Sequence, residues 1–153
     1  MNSGQLLLGL CACGILSACS GKSSDAPDSD ARGVGAPVQR HCFREIHTFP
    51  DEPQHQDIEE LLVQISGNEA SGQFNWIPWA KDRRLGHFAG TIQDGVIDAR
   101  YDFEQEGTTG SAGISIQLQN DKAIVTGTPA ELGLDRTMMR VSCEAAALQH
   151  RGD

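Results

Sequence analysis

Two carboxylates stand closest to chemistry in this chain. Asp82 closes the stretch Trp76-Ile77-Pro78-Trp79-Ala80-Lys81-Asp82, and Glu106 lies in Tyr101-Asp102-Phe103-Glu104-Gln105-Glu106-Gly107. Both fall where neighbouring strands end. A carboxylate pair so placed can divide general acid and base work, as in glycoside hydrolysis, or hold a cation. Structural work is open to the same residues. Asp82 can cap the turn at 80–84, and Glu106 can pair with Lys81, Arg83 or Arg84. Nothing else completes a catalytic set. Ser111 and Ser115 lack the context of a nucleophile elbow. The five histidines (His41, His47, His55, His87, His150) include no pair at helical i, i+4 spacing around a Glu, so no metal centre and no cofactor are expected. The chain reads as a non-enzyme. Trp76, Trp79, Lys81 and Tyr101, with Phe74, Phe88 and Phe103, combine rings with a few charges, which is the make-up of a binding site and equally of a core.

A third kind of chemistry lies near the N-terminus. A short apolar run, Leu6 to Leu16, leads into Leu16-Ser17-Ala18-Cys19. The run is shorter than the roughly 20 residues that span a bilayer and suits the h-region of a signal peptide. The four residues resemble the lipobox of bacterial lipoproteins. That resemblance implies removal of 1–18, acylation of Cys19 and a membrane anchor. No Lys or Arg precedes Leu6, a departure from the usual basic start. Ser20 after the modified cysteine leans towards the outer membrane, with the domain in the periplasm.

Of the 5 cysteines, Cys11 and Cys13 would leave with the signal, and Cys19 would carry lipid. Cys42 and Cys143 remain, and a pair in an oxidising compartment reads as a disulfide. All 12 Lys and Arg and all 21 Asp and Glu follow Cys19, so the mature chain keeps the net charge of -9. Such a body is a poor ligand for nucleic acid, since phosphates must be neutralised by Lys and Arg. An envelope protein or small ligand remains open as partner.

Residues 19–39 are rich in Ser, Asp, Gly, Ala and Pro and read as a tether of about 25 Å mean span. From 40 to 148 the pattern is short strands separated by turn signals, and 149–153 reads as a tail. Strands are expected at 41–46, 59–65, 73–77, 85–93, 96–103, 114–118, 123–125 and 137–143. Residues 52–62 also suit a capped helix start, with strand preferred for 59–65. Asp94-Gly95 is a strong hairpin signal. Residues 126–134 read as irregular. Gly86, Gly90, Gly110 and Gly113 read as bends or bulges where the sheet closes. The expected fold is all-β, a small antiparallel barrel or sandwich of about 7–8 strands in a lipocalin-like meander, closed by Cys42–Cys143.

Lys81-Asp82, Gly86, Gly90, then Tyr101, Phe103, Glu106 and Gly107 resemble a pattern in a family of small bacterial lipoproteins of uncharacterised function. The resemblance covers the central third of the chain and implies no activity. Inhibitors of periplasmic lysozyme also include lipidated, acidic, disulfide-tied small β-barrels. Their Ser-Gly-x-x-Tyr loop has only a loose counterpart in Gly107-Thr108-Thr109-Gly110-Ser111. The expected function is a membrane-anchored, non-enzymatic binding domain. Inhibition of a cationic lytic enzyme is the first alternative, and glycan chemistry through Asp82 and Glu106 the second.

Overall fold

The computed structural model describes residues 37–147. Residues 1–18, read as a signal, Cys19, most of the stretch read as a tether and residues 149–153, read as a tail, lie outside the described residues. Eight strands follow in order: β1 (Gln39–Phe49), β2 (Glu52–Ser66), β3 (Glu69–Ile77), β4 (Arg84–Gln93), β5 (Val96–Gln105), β6 (Thr108–Leu118), β7 (Lys122–Thr128) and β8 (Arg136–Val141). Each pairs antiparallel with the next, and β1 pairs with β8, so the sheet is a closed up-and-down barrel. One short helix follows, α1 (Cys143–Ala147).

Period-two alternation decides the inside. Leu61 and Val63, Phe74, Phe88, Ile97 and Tyr101, Ile114 and Ile116, Val125 and Met138 all point inward and are buried. With eight strands the lumen is narrow enough for side chains to fill. Here Phe43, Leu61, Tyr101, Ile116 and Met138, each essentially without exposure, fill it. The outward positions of β4 and β5 carry His87, Arg100, Asp102 and Glu104, all exposed. That polarity is the reverse of a membrane-spanning barrel, which is apolar outside.

The glycines read as bends or bulges form no bulge. The ladder runs without a break through Gly86, Gly90, Gly110 and Gly113. Gly86 and Gly110 give room to rings. A Cβ on Gly86 would overlap the Tyr101 ring and the Asp102 carbonyl, and one on Gly110 would lie 2.6 Å from Phe103 Cζ. Strand 52–66 is longer than expected and no helix forms in it, because Leu61, Val63 and Ile65 alternate for a sheet. Residues 126–134 are only partly irregular. β7 continues to Thr128, and a single 3-10 turn covers Ala130–Leu132.

Arginines close the two ends. At the end where the chain enters, Arg140 donates to the carbonyls of Gln119 and Asn120 and lies 4.8 Å from the Phe43 ring centre. At the far end Arg136 pairs with Glu59, and Arg84 lies between Trp76 and Phe103. Cys42 and Cys143 form the expected disulfide, with Cα atoms 5.2 Å apart, and it pins α1 to the outside of β1. β1 meets β8 over Cys42–Arg44 only, whereas it pairs with β2 along its length. The β1–β2 hairpin therefore runs on past the barrel as a two-stranded arm.

Candidate functional site

Two-residue turns place the outward carboxylates. Asp94-Gly95 has φ of 51° and 79°, and Glu106-Gly107 has 55° and 69°. Both turns thus have positive φ at each central residue, the geometry whose twist matches a hairpin. The first sets Leu85 opposite Glu104 and His87 opposite Asp102. The second sets Glu104 opposite Thr109 and Asp102 opposite Ser111. Four strands thus present Gln73 and Asn75, Leu85 and His87, Asp102 and Glu104, and Thr109 and Ser111 on one outer face.

That face is a recess of about 1280 Å³, and the loop residues Asp82, Arg83, Glu106 and Gly107 complete its rim. The two carboxylates singled out from the sequence therefore meet in one site. The side chains of Lys81, Asp82 and Glu106 have no hydrogen-bond or ion-pair partner among the described residues. The turn cap expected of Asp82 and the pairing expected of Glu106 do not form. Glu106 is held instead by its backbone, in a left-handed conformation that costs a side chain with a Cβ about 1–2 kcal/mol. Four carboxylates line the recess (Asp82, Asp102, Glu104, Glu106) against Arg83 and Arg100, and Arg100 is committed to Asp102 at 2.8 Å.

The aromatic candidates divide. Tyr101 is a core residue, 1% exposed, and its hydroxyl donates to the Phe74 carbonyl at 2.7 Å. Burial pushes its pKa up to about 12, against the pull of Arg84. Its one donor is spent, and burial shuts the ring from any ligand outside the barrel. Trp76 is half-buried at the far mouth, with the Arg84 guanidinium 5.5 Å from its ring centre. Arg84 also donates to Gln105 Oε1 at 2.8 Å. Burial lowers its pKa first, with Tyr101 and Glu59 opposing and Arg136 adding to the fall. Trp79 is 57% exposed and stacks on His55 at 3.7 Å, while its backbone N–H donates to Asp57 Oδ1. Neither Trp lines the recess. No cluster of three or more His, Cys, Asp or Glu among the described residues has the geometry of a metal site.

No protein-family model, curated protein or solved structure matches the chain. The site must therefore be argued from its own residues. Leu85, His87, Asp102 and Glu104 were not singled out from the sequence, although their register can be counted outward from Asp94-Gly95. What the sequence lacked was any sign that the sheet curves into a recess at this point.

A smaller cavity lies beside the first, under α1. Its volume is about 330 Å³, and Gln73 and Asn75 line both. Its walls are Cys42, Phe43, Leu61, Leu62, Cys143 and Ala146, with Arg40, Glu60 and Gln64 as further polar groups.

Proposed function

We propose that the chain is a membrane-anchored envelope lipoprotein, held by acyl chains on Cys19, whose barrel is a non-enzymatic domain that binds a cationic partner in the outer recess. The observation that carries the binding reading is the pair Asp82 and Glu106. Both are exposed, both line one recess, and neither side chain has a hydrogen-bond or ion-pair partner among the described residues. A carboxylate with no work in the fold is available for recognition. Neither carboxylate sits in the apolar surroundings that would tune one of the pair as an acid, which favours binding over acid and base chemistry. The anchor reading is supported by Leu16-Ser17-Ala18-Cys19 and by the Cys42–Cys143 bridge, which suits an oxidising compartment. The chain enters the barrel at Gln39, and the arm, Trp79, Asp82 and Glu106 lie at the opposite end. Ser20, directly after the modified cysteine, supports the outer membrane as the site of anchoring, with the domain on its periplasmic side.

The acidic recess also favours the more specific reading of an inhibitor of a cationic lytic enzyme. Titration against lysozyme, followed by cell-wall lysis, tests both. The expected result is saturable binding that weakens about tenfold or more in Asp82→Asn/Glu106→Gln and falls with salt. Binding with undiminished lysis would remove the inhibitor reading alone. Equal binding by the double variant would remove the recess as the site.

A further inference from the structure

We propose that the cavity under α1 is a second, separate binding site, for a small amphipathic molecule with an apolar body and one anionic group. A volume of about 330 Å³ is at the small end of ligand cavities, which run from about 300 to 1,000 Å³. It fits a compact two- or three-ring molecule or a short acyl chain. The floor and back wall are Phe43, Leu61, Leu62 and the Cys42–Cys143 bridge, and Ala146 of α1 forms the roof.

The polar groups set the charge of the ligand. Glu60 is buried and its carboxylate is met by Arg44 at 2.8 Å, so the one acid in the wall is already neutralised. Arg44 also donates to the Ala146 carbonyl, which ties the roof to the wall. Asn75 is 7% exposed and spends Oδ1 on the Gly86 N–H, leaving its Nδ2 donor with no protein acceptor among the described residues. Arg40 at the rim is exposed, and its guanidinium likewise has no partner among them. The open groups are thus the amide donor of a largely buried asparagine and a cation, in a body whose net charge is -9. Both call for an acceptor bearing negative charge, which makes the preference opposite to that of the acidic recess next door.

Two dyes with the same rings separate the terms of the proposal. 1-Anilinonaphthalene-8-sulfonate carries an anion, and N-phenyl-1-naphthylamine is neutral. Each is titrated by fluorescence into the full-length chain carrying Cys19→Ala, so that no acyl chain competes. The expected result is one saturable site for both dyes, with the sulfonate tighter. Arg40→Gln should weaken the sulfonate about tenfold and leave the neutral dye unchanged. Ala146→Phe, which fills the roof, should abolish both. Gln64→Trp, at the rim on a strand face, does the same should the helix not tolerate Phe, with thermal melting as the check on folding. Binding that survives both plugs in folded protein would overturn the site. Equal loss of the two dyes in Arg40→Gln, or no loss of either, would overturn the anionic class. Because the cationic partner is tested at Asp82 and Glu106, failure of one proposal leaves the other standing.

Discussion

At the scale of single residues, Glu106 is the most informative side chain. It occupies a left-handed position that Gly, Asn or Asp would fill with less strain, and its carboxylate has no hydrogen-bond or ion-pair partner among the described residues to offset the cost. Glu106→Asn should therefore raise stability by about 0.5–1 kcal/mol in denaturant melts, while weakening the cationic partner. A fall in stability would show that the carboxylate has structural work after all. Tyr101 gives a pH test. Its pKa is about 12 in the folded chain against an ordinary 10.0, so the folded state holds the proton more tightly. Its share of stability is full below pH 10 and is lost between 10 and 12, on the order of 2–3 kcal/mol. Comparing unfolding across that window with Tyr101→Phe checks this. The variant should lack the alkaline loss and cost about 1 kcal/mol at neutral pH, through the missing bond to the Phe74 carbonyl.

At the scale of elements, the hairpins were the most legible part of the fold. Leu61, Val63 and Ile65, and Ile114, Ile116 and Leu118, declare their strands because one face of a sheet is dry and the other wet. Asp94-Gly95 declared its turn because few residues accept positive φ twice. Strand ends were less legible. β1 and β2 run beyond the core into an arm whose residues 45–57 have little apolar alternation to mark it. Residues such as Glu45 to Thr48 become strand because the partner strand supplies the hydrogen bonds. The helix α1 could not be read, since five residues have no helical stability of their own. It depends on the Cys42–Cys143 bridge and on Arg44 reaching the Ala146 carbonyl. Cys143→Ser should cost about 2–5 kcal/mol, given the 101-residue separation that the bridge closes. It should also release α1 and weaken the neutral dye along with the anionic one. Retained dye binding at full affinity would mean the roof holds without the bridge.

At the scale of the whole molecule, the proposed arrangement is a barrel with its entry at one end and its recognition loops at the other. Cys19→Ala should abolish incorporation of an alkyne-tagged fatty acid in bacterial cells and move the chain from the membrane fraction to the soluble one. Persistence of the label would refute anchoring at this cysteine. What the sequence determined alone were local and pairwise properties: alternating strands, the Asp94-Gly95 turn, an acidic body and one disulfide between the two ends. Each follows from a residue's own chemistry or from its immediate neighbours. Tertiary structure decided which residues are available. It buried Tyr101 with its hydroxyl spent, set Trp76 against Arg84, and brought Asp82 and Glu106 to one rim although 24 positions separate them. It also raised a cavity between a strand face and a helix too short to announce itself. Closure of the sheet brings such distant residues together, and closure depends on all eight strands at once.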